Sequence, residues 1–212
     1  MKFVIAFFTS EGIVMANILL VYGHPKTPTS FNFSLKEKMV SVLKNRGHNV
    51  LVRDLYEVSF NPLLSSEDLA KLHNGEIPDD IKKEQEFIKN ADVIIFIYPI
   101  WWAGSPAIIK GYIDRVFSYG FAYMYKGNKV VGLLTDKSAV IINSTGSPYD
   151  YYEREGFYGA IRKTVDEGIF GFCGFKRIRH IFFGGIMNKT QEERDVDIKT
   201  AIDETVIEIE AK

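Results

Sequence analysis

VIIFIYPIWWAGSP, residues Val93 to Pro106, joins an uninterrupted apolar run to a proline-bounded loop that holds both tryptophans of the chain. A short continuous apolar run reads as a strand buried on both faces, as in a parallel sheet covered by helices. In an open α/β sheet, ligands bind outside the carboxyl ends of the strands. Trp101 and Trp102 therefore offer either a stacking surface for a flat aromatic ligand or, in the plainer reading, a cap on the core. The loops on either side decide between the two.

Working outward, four more strand-length runs flank this one: about Asn17 to Tyr22, Asn49 to Asp54, Ser138 to Asn143 and Arg177 to Phe183, with the central strand at Val93 to Tyr98. Segments of helical period fill the gaps. The first spans about Phe31 to Arg46, with Leu35, Met39, Val42 and Leu43 on one face and Gly47 as its stop. A third helix is expected to start at Ser105 as N-cap, with Pro106 in the first helical position. The last begins at Thr190, with Glu193 completing a capping box, and runs through Ile198, Ile202 and Val206. Between the second strand and second helix, the stretch from about Tyr56 to Pro78 reads as a long connection, a length usually reserved for function or for covering a partner. Strict β-α alternation predicts an α/β fold: a doubly wound, flavodoxin-like five-stranded parallel sheet of order 2-1-3-4-5.

At 212 residues the chain suits one domain with one core. A net charge of −1, with scattered Lys and Arg, argues against nucleic acid and for small-molecule partners. Cys173 is the single cysteine, flanked by Phe172 and Gly174, and reads as a small buried residue in a reducing compartment. Residues 1–15 are expected to be an N-terminal extension, either a disordered arm or an upstream translation artefact, because the Met1 to Phe8 run is too short for a signal peptide and Glu11 follows it. Residues 16–212 then form the single domain. Nothing reads as a membrane span, so a soluble, cytoplasmic protein is expected.

The chemistry-bearing positions are three loops. After the first strand come Gly23, His24, Pro25, Lys26, Thr27, Pro28, Thr29, Ser30, Phe31 and Asn32, where hydroxyls meet the positive end of a helix, a combination that suits phosphate. The plainer reading is that Thr29 or Ser30 merely caps that helix. The loop matches neither Gly-x-Gly-x-x-Gly nor a Walker sequence. After the fourth strand come Ser144, Thr145, Gly146, Ser147 and Pro148, then Tyr149, Tyr151, Tyr152, Phe157 and Tyr158, which bring backbone amides and phenols to one edge. Phosphate contacts, a stacking surface and polar edge contacts around one crevice describe a flavin site. The four histidines lack metal-ligand spacing, and no Gly-x-Ser-x-Gly elbow occurs.

Taken in order from about Ala16 to Gly184, several segments resemble the flavodoxin-fold NAD(P)H:quinone oxidoreductases. They are Gly23-His24-Pro25 with Thr29 to Asn32, Pro99-Ile100-Trp101-Trp102 with Pro106 to Gly111, Ser144-Thr145-Gly146 with Tyr152 and Gly156, and Cys173-Gly174-Phe175. The resemblance implies that His24, Thr29, Ser30, Phe31 and Asn32 hold the flavin phosphate. It places Pro99, Ile100, Trp101, Trp102 and Ala103 along the isoalloxazine, and Ser144, Thr145, Gly146, Ser147 and Tyr152 at the polar rim. It implies a ping-pong reaction: NAD(P)H gives a hydride to flavin N5 and leaves, and a quinone, or a nitro or azo compound, takes it up.

Tyr152 matches the family's active-site tyrosine, whereas Tyr158 stands where animal members carry a catalytic histidine. A phenol with an ordinary pKa near 10 donates a hydrogen bond but does not cycle protons at neutral pH. The segments around Phe60-Asn61-Pro62 and Ile77 to Ile81 resemble the FAD-binding branch, with FMN as the alternative cofactor. In that branch two subunits build each site, which implies a homodimer in which Tyr123, Tyr125 and the Tyr56 to Pro78 stretch face the second copy. Two other functions compete: a flavin-binding regulatory subunit of a potassium efflux system, and a one-electron carrier, which the near-neutral charge disfavours.

Overall fold

The computed structural model describes residues 15–25 and 27–211; nearly all of the expected N-terminal extension lies outside them. Five parallel strands form the main sheet: β1 (Asn17–Tyr22), β2 (Asn49–Asp54), β3 (Val93–Pro99), β6 (Ser138–Ser144) and β7 (Arg177–Phe183). Their spatial order is β2-β1-β3-β6-β7. Counting only these strands, that is the expected 2-1-3-4-5 order, with the switch point between β1 and β3.

Alternation along each strand sorts the side chains into two cores. Ile18, Leu20, Ile95, Ile97, Val140, Ile142 and Ile181 pack beneath α1 (Phe31–Asn45) and α7 (Gln191–Glu210). On the other face, Leu19, Val21, Ile94, Phe96, Ala139 and Ile141 meet α3 (Asp79–Asn90) and α4 (Ala107–Val116). β3 is buried along its whole length because both faces are covered. This is why its sequence reads as a continuous apolar run rather than an alternating one.

The helix ends follow local chemistry. Ser30 caps α1, its Oγ accepting from Phe33 N at 3.1 Å. Gly47, at φ +87°, ends that helix in a conformation that suits glycine. Thr190 and Glu193 form the expected capping box at α7. At α4 the start falls one residue later than expected. Pro106, not Ser105, is the N-cap, because its ψ of 149° is extended while its carbonyl already accepts from Ile109 and Lys110.

Three features were not expected from the sequence. The Tyr56 to Pro78 stretch contains α2 (Ser66–His73), started by a capping box between Ser65 and Asp68. An antiparallel hairpin, β4 (Tyr123–Lys126) with β5 (Lys129–Gly132), lies outside the main sheet. After β6, the aromatic stretch folds into α5 (Tyr149–Arg154) and α6 (Phe157–Arg162), and α6 continues as a π-helical segment, Lys163–Gly171. Pro62 anchors the long excursion directly on α4, where a Cβ on Gly111 would lie 2.1 Å from the Pro62 carbonyl oxygen.

Candidate active site

Because β1, β3 and β6 are neighbours, their carboxyl-terminal loops open onto one cleft of about 510 Å³. That volume lies within the usual range of small-molecule sites. His24, Thr29, Ser30, Phe31, Asn32, Pro99, Ile100, Trp101, Ser144, Thr145 and Gly146 all line it. The predicted groups therefore converge from three separate parts of the chain.

At one end stands the start of α1, whose first N–H groups have no intrahelical acceptor and carry the positive end of the helix dipole. Thr27, Thr29 and Ser30 surround it. His24 Nδ1 lies 2.7 Å from the Pro25 carbonyl oxygen, which fixes that nitrogen as the donor and leaves Nε2 available. Asn32 is buried, and its Nδ2 donates to Ser144 Oγ at 2.9 Å, binding the first and third loops together. Its Oδ1 is buried with no partner among the described residues. A lone acceptor of this kind is costly unless a ligand or water supplies a donor.

The middle of the wall is Pro99, Ile100 and Trp101. Ile100 N donates to the Ser144 carbonyl at 2.8 Å, extending the β3–β6 pairing one residue beyond the strands. Trp101 and Gly104 then exchange two backbone hydrogen bonds, of 2.9 and 3.0 Å, across a two-residue turn. The turn places Trp102 and Ala103 at φ +52° and +55°, which side chains other than glycine rarely adopt. Such strain, on the order of 1–3 kcal/mol per residue, persists where the surroundings or the function demand it. Its effect here is to turn the two indoles apart. Trp101 lines the cleft at 44% exposure, whereas Trp102 is fully exposed.

Trp102, Ala103, Ser147, Tyr152 and Tyr158 do not line this cleft. Ala103 borders a separate cavity of about 280 Å³ with Tyr98, Asn143 and Ile161. Ser147 serves the rim indirectly, its carbonyl accepting from Thr145 Oγ1 and from Gly185 N. Tyr152 is half-buried, its ring 5.3 Å from that of Tyr158. Tyr158 is buried against Phe182, and burial pushes its phenol up to about 12, so it keeps its proton throughout the physiological range. Cys173 is likewise buried, and its thiol is pushed up to about 12 by that burial, which makes it inert as a nucleophile.

Three lining residues were not anticipated, Ile186, Met187 and Arg194, while Thr27 joins from the expected phosphate loop. Arg194 sits in the first turn of α7 and donates from Nη2 to the Ile186 carbonyl at 2.9 Å. Its Nε is buried without a partner among the described residues. Two residues of the cleft lining thus carry a buried polar atom without a partner among the described residues, a donor on Arg194 and an acceptor on Asn32. The residues present fit a flavin nucleotide: a helix start and hydroxyls for phosphate, an apolar and aromatic wall for the ring, the Thr145-Gly146 loop for its polar edge, and two lining side chains, Asn32 and Arg194, with a polar atom left unpaired.

A family described by its flavodoxin-like fold matches residues 16–206. A Haemophilus influenzae protein named as an uncharacterized NAD(P)H oxidoreductase is 38% identical over 195 residues, covering 92% of this chain and 96% of its own. The ribosyldihydronicotinamide dehydrogenase [quinone] of Rattus norvegicus is 34% identical over 199 residues, covering 84% of this chain and 86% of its own. Among solved structures, the NAD(P)H:quinone oxidoreductase from Methanothermobacter marburgensis is similar with a TM-score of 0.78 at 29% identity, covering 89% of this chain and 96% of that one.

Proposed function

This chain belongs to the flavodoxin-fold NAD(P)H:quinone oxidoreductase family, and from that premise we propose that its cleft holds FAD and serves a ping-pong, two-electron reduction of quinones. It is an NAD(P)H dehydrogenase (quinone). The observation that carries the flavin assignment is the convergence of the α1 start, the Ile100 and Trp101 wall and the unpaired Asn32 Oδ1 in one cleft. A bound flavin would supply the redox chemistry between NAD(P)H and a quinone, or a nitro or azo compound.

The chain's own residues bind, orient and exclude water. Ser30, Thr29, Thr27 and the N–H groups at the start of α1 hold phosphate. Pro99, Ile100 and Trp101 seat the ring, with Thr145 and Gly146 at its polar edge. Tyr152 is assigned as the active-site tyrosine, and Tyr158 Oη, held protonated by burial, supports it from behind rather than exchanging protons. Trp102, exposed beside the cleft, is the surface that meets the incoming acceptor. Arg194 favours FAD over FMN, because an unpaired guanidinium donor at the cleft suits the second phosphate and adenosine half of a dinucleotide. A homodimer is supported by the exposed Leu63, Leu69, Tyr119 and Tyr125, which surround the α2 excursion and the β4–β5 hairpin. Among the described residues no helix is long and apolar enough to cross a membrane, and the single buried Cys173 suits the reducing cytoplasm.

The absorbance spectrum of purified protein, with chromatography of the released flavin, tests the cofactor. Colourless protein that takes up neither FMN nor FAD overturns the reading. Oxidation of NADH or NADPH with a soluble quinone then separates the enzyme from a regulatory subunit, which loads flavin without turnover. Arg194→Leu should weaken FAD roughly tenfold or more, the size of one charged hydrogen bond, and leave FMN affinity nearly unchanged. Equal loss for both flavins removes the FAD argument. Trp101→Ala should weaken flavin binding, whereas Trp102→Ala should leave it intact and raise the KM for the quinone.

A further inference from the structure

Behind the cleft wall, on the face of the sheet covered by α6 and its π-helical continuation, lies a polar chain that the chemistry above does not use, buried at His180 and Asn143 and half-buried at Asp166. His180 of β7 places Nδ1 2.5 Å from Asp166 Oδ1 and Nε2 2.7 Å from Asn143 Oδ1. The far end of the Asn143 side chain fixes which way its amide faces, since Nδ2 donates to the Tyr98 carbonyl at 3.1 Å. Both ring nitrogens therefore meet acceptors. A neutral imidazole has one N–H and can serve only one of them.

The arrangement is satisfied only when the His180–Asp166 pair holds one proton more than a neutral ring beside a carboxylate. Without that proton, a lone pair on the ring faces either Asp166 or Asn143. Turning the Asn143 amide over relieves the second clash, but sets Oδ1 against the Tyr98 carbonyl and breaks the tie. That tie sits at a sensitive place. Tyr98 and Asn143 are register partners at the end of the β3–β6 pairing, and the next residue, Pro99, has no N–H to offer. Ile100 and Trp101, which line the cleft, follow at once.

We propose that His180 is a positioning residue for the active site: the proton it shares with Asp166 fixes the Asn143 amide, and through it the Tyr98 to Trp101 backbone that carries the cleft wall. This rests on the reading that the cleft binds flavin. Few charged groups face the pair. Arg162 of α6 lies 3.7 Å from Asp166 Oδ2, with its guanidinium over Phe182, and Tyr98 approaches from β3. Lys110, across the adjoining cavity, is paired with Asp114. Burial lowers the His180 pKa from its ordinary value, and Asp166 opposes that shift. The extra proton is thus lost as pH rises.

The test is flavin affinity of the full chain against pH, with the Asn143 side-chain amide followed by NMR in flavin-free protein. Wild-type affinity should fall about fivefold as pH rises through the His180 titration, the value of one net hydrogen bond. Asp166→Asn should abolish that dependence, because the new amide donates to Nδ1 and leaves a permanent Nε2–H on Asn143. His180→Phe should bind weakly at every pH, and His180→Gln, which keeps a donor toward Asn143, should restore tight and pH-independent binding. The proposal is overturned if Asp166→Asn keeps the wild-type pH dependence, or if His180→Phe binds as tightly as wild type. If His180→Phe does not fold, an Asn143 amide signal that ignores the His180 titration overturns it instead. Wild-type protein that takes up no flavin at any pH rejects the flavin reading alone, and the Asn143 signal still decides the coupling.

Discussion

Arg115→Met is expected to destabilise the protein by about 3 kcal/mol, because it would leave a buried carboxylate without its partner. Arg115 projects from α4 and is buried, with Nε and Nη2 gripping both oxygens of Asp68 at 3.0 and 3.2 Å. Its Nη1 donates to the Asn61 carbonyl at 2.8 Å and to Asp80 at 2.7 Å. One guanidinium thus fastens the long excursion, α2 and α3 to α4. For a chain of this size a loss of that order should lower the melting temperature by roughly 6–12 °C. A thermal melt checks it, and a change within 2 °C, on the order of the error of one such comparison, would mean that the pair is near neutral in net worth.

The same pair sets part of the acid response. Burial alone raises the Asp68 pKa, but hydrogen bonds from Arg115 and Ser65 outweigh it and leave the carboxyl below its ordinary value. A depressed folded pKa contributes stability above the unfolded carboxylate value and loses it as pH falls through the folded one. Arg115→Met should therefore lose less further stability on acidification than the wild type does.

Gly184→Ala should cost about 2 kcal/mol by overpacking and also weaken flavin binding about tenfold by displacing the cleft rim. A Cβ at Gly184 would lie 2.3 Å from Tyr149 N and 2.5 Å from Tyr149 Cα, where backbone rather than a flexible side chain must yield. The rim loop is held to this same end of β7: Gly185 N donates to the Ser147 carbonyl at 2.7 Å and Ile186 N to that of Thr145 at 3.1 Å. Moving Tyr149 therefore shifts Thr145 and Gly146 in the cleft. Gly159→Ala, in α6 and outside the cleft lining, is the control, since its Cβ would meet nothing within 4 Å. Flavin titration of both variants decides; equal affinities for Gly184→Ala and wild type overturn the coupling.

The inner strands β1, β3 and β6 are legible because burial on two faces favours apolar runs, whereas the edge strands β2 and β7, partly exposed and carrying Arg53, Asp54, Arg177 and Arg179, are legible from their place in the β-α alternation. Asn17–Tyr22, Asn49–Asp54 and Arg177–Phe183 match the observed bounds, and β3 and β6 run one residue further than expected. The β4–β5 hairpin escaped because its residues are mostly exposed or half-buried, so no apolar run marks it; the Gly127-Asn128 pair between its strands was the available turn signal. Ser65 with Asp68 was the capping signal for α2, obscured by the surrounding Asn and Pro. The π-helical segment had no signature of its own.

In the site, residues at strand ends were readable because topology brings those ends together whatever the loops do. Adjacency in the sequence groups Trp102 and Ala103 with Trp101, but a two-residue turn in left-handed backbone reverses direction at that point. Arg194 carries no signal of its own in the sequence, where the start of α7 shows only its capping box. Nothing in the sequence says that this turn reaches the same cleft as the α1 start, since that proximity comes from packing α7 beside α1 in the second core.

The paired indoles have one practical consequence. They are the chain's entire complement of tryptophan, and both sit at a single address, one against the cleft and one in water beside it. Indole emission from this protein, excited at the red edge where the eleven tyrosines do not absorb, therefore comes from the doorstep of the site, with no distant indole to dilute it. A bound isoalloxazine, which absorbs where indole emits, should darken nearly the whole signal. Cofactor occupancy then becomes readable from the native chain's own glow, without label, engineered reporter or turnover assay.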